Sequence, residues 1–129
     1  MEKLIDLAKQ AASNAYSPYS GFKVGAALLC ANGNIYTGCN IENSAFSPTV
    51  CAERVAFFKA ISEGVTDFVA IAIVGGKEDI GSEICYPCGV CRQVMTEFCN
   101  ADGFRIILPH KDGVTELLLK DLLPHGFML

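Results

Sequence analysis

Short apolar runs separated by turn residues organise this chain, and they follow two different periodicities. Leu4, Leu7, Ala8, Ala11 and Ala15 recur at helical spacing, which predicts an amphipathic helix ended by Ser17-Pro18. Phe22 to Cys30 is largely apolar and predicts a buried strand. Asn32-Gly33 signals a tight hairpin, with Ile35 to Cys39 as its antiparallel return. Ser47-Pro48 has the form of a cap followed by a first-turn proline and predicts the start of a second helix. Val55, Phe58 and Ile61 would share that helix's inner face, and Gly64 would stop it.

Phe68 to Val74 is continuous and rich in β-branched residues, as in a strand covered on both faces. Gly75, Gly76 and the charged stretch to Glu83 predict a loop. Pro87-Cys88 opens a third helix, with Val94, Met95 and Phe98 facing inward. Phe104 to Leu108 and Val114 to Leu118 are the last two strands. The residues between them are too few for a parallel crossover, so the pair should be antiparallel. A helical turn near Lys120 to Leu123 ends at Pro124. The summed order, α-β-β-α-β-α-β-β, predicts an α/β protein: a three-layer α/β/α sandwich with one mixed five-stranded sheet.

A length of 129 residues fits a single domain spanning 1–129, and an apolar content of 51% supplies one core. A chain this short buries a limited share of its surface, so association would stabilise it. The net charge of −4 and the lack of any Lys/Arg cluster argue against nucleic acid as a partner. Met1 to Tyr16 carries Glu2 and Asp6 and reads as a helix rather than a secretory signal. No apolar run is long enough to span a bilayer. These features predict a cytoplasmic protein without a membrane partner.

Seven cysteines in a reducing compartment suggest metal or catalytic use for some of them. Cys51 stands at the start of the second helix, and Cys88 and Cys91 at the start of the third. Unpaired N–H groups and the helix dipole favour thiolates there, and thiolates suit zinc. Cys-x-x-Cys alone is ambiguous between zinc and redox chemistry; the distant Cys51 shifts the balance. Three ligands leave a fourth position open, the catalytic pattern rather than the structural one. Glu53, two residues from a ligand, can handle protons beside the metal. Three thiolates leave zinc with net negative charge, which Arg54, on the same helix face as Cys51, can offset, with Arg92 as a second candidate.

Cys51-Ala52-Glu53-Arg54 followed by Pro87-Cys88-Gly89-Val90-Cys91-Arg92-Gln93 resembles the zinc signature of cytidine deaminases, in the small three-cysteine, homotetrameric branch. Tyr16 to Ser20 with Phe22 to Leu29, Gly38 to Asn43, and Leu122-Leu123-Pro124 with Phe127 extend the resemblance over nearly the whole chain. It implies one Zn2+ per chain held by Cys51, Cys88 and Cys91, with Arg54 tuning the thiolates. It also implies hydrolytic deamination of cytidine and deoxycytidine to uridine and deoxyuridine. Glu53 would take a proton from the water attacking C4, then protonate N3 and the leaving amine. Asn40 and Glu42 would bind the ribose hydroxyls and Phe22 the base. The segment Asn40-Ile41-Glu42-Asn43-Ser44-Ala45-Phe46 would line the nucleoside pocket together with Ala52. Phe127 would reach a neighbouring subunit's site, so the active sites of a homotetramer would be shared.

The antiparallel last hairpin agrees with the free-nucleoside branch rather than with polynucleotide deaminases. Phe46 stands where the family usually has tyrosine, and Tyr86 where it commonly has a small residue. Two other readings stay open at this point. A blasticidin-type aminonucleoside deaminase would share the zinc site but not the form of Asn40-Ile41-Glu42-Asn43. A non-enzymatic structural zinc module would close the fourth position with Cys85 and leave Glu53, Asn40 and Glu42 without a role. An iron–sulfur reading of Cys85, Cys88 and Cys91 fails because the next cysteine is Cys99. Cys30, Cys39 and Cys99 read as small core residues, and His110 and His125 as surface groups.

Overall fold

A computed structural model describes residues 1–129. The elements run α1 (Glu2–Ala12), β1 (Lys23–Cys30), β2 (Ile35–Cys39), α2 (Ala52–Ser62), β3 (Phe68–Gly76), α3 (Gly89–Phe98), β4 (Arg105–His110), β5 (Gly113–Leu118) and α4 (Leu119–Leu122). The five strands form one sheet in the order β2-β1-β3-β4-β5. All neighbours are antiparallel except β3 and β4, which pair Ala70 with Arg105, Ile71 with Ile106 and Ala72 with Ile107 in parallel. The mixed five-stranded sandwich anticipated from the sequence is therefore present, including the antiparallel β4–β5 hairpin. No helix is long and apolar enough to cross a membrane.

Strand alternation splits the core into two layers. Leu4, Ile5, Ala8 and Ala12 of α1 pack on Ala27, Ala70, Ala72, Val74 and Ile107. On the opposite face Ala26, Leu28, Ile71, Ile73, Ile106 and Leu108 meet α2, α3 and α4 through Ala56, Phe57, Met95 and Leu119. Phe57 is fully buried and sets its ring edge-on to Phe68 at 5.0 Å. Two glycines let helices sit almost on the strand backbone. A Cβ at Gly25 would lie 1.9 Å from the Ala8 carbonyl oxygen, and one at Gly38 would lie 2.4 Å from that of Ala52. The second close approach seats the first turn of α2, and hence Cys51, against β2.

Three local expectations fail for identifiable reasons. The first helix ends at Ala12 rather than near Ser17, because the chain turns at Ser13-Asn14 to form a bridge from Tyr16 to Ile41. Ser47-Pro48 does not cap α2; it lies in a turn, and Cys51 with φ −77° and ψ 155° is the N-cap. The buried face of α2 also differs from the expected one: Ala52, Glu53, Ala56, Phe57 and Ala60 are inside, while Phe58 is 46% exposed.

The Gly25 contact makes a sharp test of α1 docking. Gly25→Ala should cost about 2–3 kcal/mol in urea unfolding, since the clashing atom is backbone and cannot rotate away. A loss under about 0.5 kcal/mol would show that α1 is free to shift outward.

Candidate metal centre and active site

The site lies where two helices begin. Cys51 caps α2 and Cys88 caps α3, with Cys88 Sγ accepting from the Cys91 N–H at 3.5 Å. Both caps have extended backbones and stand at helix ends, where free N–H groups favour negative charge, and the Cys88 sulfur folds back onto its own helix. Their thiols converge: Cys51 Sγ lies 3.6 Å from Cys88 Sγ, which lies 3.5 Å from Cys91 Sγ, and all three fall within 4.8 Å of one another. Thiolates about 2.3 Å from a tetrahedral zinc are about 3.8 Å apart, so the cluster fits that ion with little movement. Cys85 stands outside this group, so the fourth position is not closed by sulfur.

The charge around the cluster is arranged to match. Arg54 Nη2 donates to Cys51 Sγ at 3.5 Å, as the helix spacing predicts. Cys51 is pushed down to about 5, chiefly by the thiol of Cys91 donating to it and, against the cost of burial, by Arg54 and Cys88. Cys91 moves the other way because the neighbouring Cys51 charge and burial hold its proton. Arg92 does not serve the sulfurs. Its Nε donates to the Pro87 carbonyl at 2.8 Å and its Nη1 to that of Leu122 at 2.7 Å, tying α3 to α4.

Glu53 is the sole polar side chain among the buried residues, 3% exposed, and its Oε1 has no hydrogen-bond partner. Leaving such an oxygen unpaired costs about 1–3 kcal/mol, a cost a bound ligand would remove. Burial pushes its carboxyl up to about 7. It borders a pocket of about 250 Å3 shared with Phe22, Val24, Asn40, Glu42, Thr49, Val50, Cys51, Cys85, Tyr86 and Cys88. Metal cluster, unpaired carboxylate and polar groups thus open onto one cavity.

At the other end of this cavity, Asn40 Oδ1 accepts from Val24 N–H at 2.8 Å and its Nδ2 donates to the Phe22 carbonyl at 2.8 Å. One amide hydrogen and one lone pair remain free. Glu42 accepts from the N–H groups of Tyr19 at 2.9 Å and Ser20 at 3.1 Å and from the Ser20 hydroxyl. Those bonds, the hydroxyl's foremost, hold its carboxyl below the usual range. Against Glu42 a recess of about 320 Å3 opens between Tyr19, Asn43, Phe46 and Thr49. Phe46 is 77% exposed and adopts φ 60°, where the turn closed by Asn43 holds it.

Other predicted residues fall outside the cavity. Ala52 is buried beneath the helix start against Gly38. Ile41 bridges Tyr16 and Val50 through its backbone. Ser44 bonds the Tyr19 hydroxyl at 2.5 Å, and the Ala45 N–H is held by Asn43. Phe127 is 65% exposed and away from the pocket of its own chain.

Comparisons with known proteins agree with this geometry. Residues 1–104 match the family model for the cytidine and deoxycytidylate deaminase zinc-binding region. The chain belongs to this deaminase family. It is 52% identical over 127 residues to the cytidine deaminase of Sporosarcina psychrophila, covering 98% of this chain and 90% of the relative. It is 47% identical to that of Halalkalibacterium halodurans, covering 98% and 92%. The crystal structure of cytidine deaminase from Burkholderia pseudomallei superposes with a TM-score of 0.88 at 41% identity, covering 98% of both chains. As in the deaminase family's zinc-binding region, the cofactor here is zinc, one ion per three-cysteine cluster.

Sequence reasoning missed Tyr19, Ser20, Val24, Thr49 and Val50 as site residues. Pro18 and Gly21 are turn-forming residues, but nothing in the sequence says which carboxylate their segment folds onto.

Two substitutions separate the ligand cysteines from Cys85. Cys85→Ser should leave zinc content at about one per chain, whereas Cys88→Ser should lower it clearly, as read by elemental analysis after dialysis. Equal loss in both would place Cys85 among the ligands.

Proposed function

We propose that this chain is a cytidine deaminase: cytidine or deoxycytidine and water give uridine or deoxyuridine and ammonia, a step of pyrimidine salvage. The observation that carries this reading is the buried, unpartnered Oε1 of Glu53 beside a three-thiolate cluster with an open fourth side. The names of its relatives support the same substrate class. When bound, zinc supplies Lewis acidity at that fourth position, enough to make water a nucleophile near neutral pH. Glu53 accepts a proton from the attacking water and passes it to N3, then takes the hydroxyl proton of the C4 adduct and passes it to the amine, so ammonia leaves as the C4 carbonyl forms. Burial of this carboxylate keeps it basic enough to accept and acidic enough to return the proton. Phe22 lies against the base, and Asn40 and Glu42 receive the ribose hydroxyls with their free lone pairs and N–H. Arg54 withdraws charge from Cys51.

Residues 1–129 act as one deaminase domain in the cytoplasm, and neither nucleic acid nor a membrane is a partner. Four copies assemble with shared sites. Support comes from the exposed apolar side chains Phe58, Val90, Phe127 and Met128 on a chain too short to bury much surface alone. Phe127, outside its own pocket, is carried on a terminus tied to α3 by Gln93 and is free to enter a neighbour's.

Ultraviolet absorbance of the zinc-loaded protein with cytidine should show conversion to uridine. Glu53→Gln should keep fold and zinc but lower kcat by about a thousandfold. Retained turnover would remove Glu53 from the chemistry. Sedimentation at micromolar concentration should give a species of four chains, and a lone monomer would contradict the shared site.

A further inference from the structure

The loop before β1 ties together two residues that border the cavity. Gly21 N–H donates to the Ser17 carbonyl at 2.9 Å, and Gly21 sits at φ 68°, a left-handed conformation that suits glycine. Next to it, the Ser20 hydroxyl is engaged twice. It accepts from the Phe22 N–H at 3.0 Å and donates to Glu42 Oε2. A hydroxyl has one proton and two lone pairs, so both bonds coexist. The Tyr19 and Ser20 N–H groups meanwhile hold the other oxygen, Glu42 Oε1.

Phe22 and Glu42 lie 20 residues apart in sequence, in the loops before β1 and after β2, and both border the cavity that holds Glu53. One hydroxyl therefore couples the residue beside the base to the carboxylate beside the sugar. A carboxylate fixed at both oxygens presents its remaining lone pairs in one direction. Binding then costs little side-chain freedom.

We propose that Ser20 is a positioning residue for substrate: its hydroxyl holds the Glu42 carboxylate and the Phe22 backbone in the arrangement that receives a nucleoside. The inference rests on the nucleoside reading of this cavity. It assigns Ser20 no contact with the reacting atoms, so its effect belongs in binding and not in the chemical step.

Steady-state kinetics of the full-length, zinc-loaded chain with cytidine test it. Ser20→Ala should raise KM about tenfold, equivalent to about 1.4 kcal/mol, with kcat changed less than about threefold and zinc content unchanged. In a Glu42→Ala background the same substitution should change KM by no more than about threefold, because its effect passes mainly through that carboxylate. An unchanged KM, a loss confined to kcat, or an equal loss in the Glu42→Ala background overturns the inference. Should the alanine variant fail to fold, Ser20→Cys, similar in shape with a weak donor, is put through the same comparison. A zinc-loaded wild-type chain that leaves cytidine intact overturns the nucleoside reading, and the inference falls with it. Turnover by the wild type with an unaffected Ser20→Ala overturns the inference alone.

Discussion

The convergence of two helix starts on one point is the constraint from which the rest of this structure follows. Cys51 and Cys88 are N-caps of α2 and α3, and Cys91 lies one turn into α3. Bringing three sulfurs within 4.8 Å of one another requires both helices to lie on the same sheet face with their first turns adjacent. Gly38 permits the closest part of that packing, because α2 presses its first turn onto β2 where no Cβ intervenes. Arg92 secures the other helix by binding the carbonyls of Pro87 and Leu122. The sheet's own role is to hold these two starting points in register.

Charge then divides the cavity into two ends with different tasks. At the metal end Arg54 faces a thiolate, and Glu53 is kept in the dark of the core with one oxygen unpaired. The same burial that makes Glu53 costly suits it to the proton transfers proposed for it. At the end proposed to receive the sugar, the Tyr19–Ser20 loop holds the carboxylate of Glu42 below the usual range, which suits a fixed acceptor rather than a base. Two glutamates bordering one pocket thus differ in proton affinity because one is buried with an oxygen unpaired and the other is half-buried with three donors.

Much of this was legible in the sequence. The strand runs, the Asn32-Gly33 turn and the short β4–β5 join led to the observed sheet, because turn chemistry and connection length restrict topology strongly. The cysteine positions led to the metal cluster, because caps are local features. The misreadings came from long-range packing. Val55, Phe58 and Ile61 made a plausible inner face, but α2 docks on the sheet through the neighbouring stripe of Glu53, Ala56, Phe57 and Ala60. Arg92 sits beside a ligand in sequence, yet its side chain points to α4, a direction the sequence cannot reveal. Ser20 was likewise invisible as a site residue, since its partner Glu42 is brought to it by the fold alone.

The central claim is a zinc with three sulfur ligands and one side left open toward Glu53. X-ray absorption at the zinc edge of the purified protein measures this directly. Three sulfurs at about 2.3 Å and one lighter atom near about 2.0 Å is the result this account predicts. Four sulfurs, with Cys85 drawn into the cluster, would contradict it and leave Glu53 without a reaction to serve.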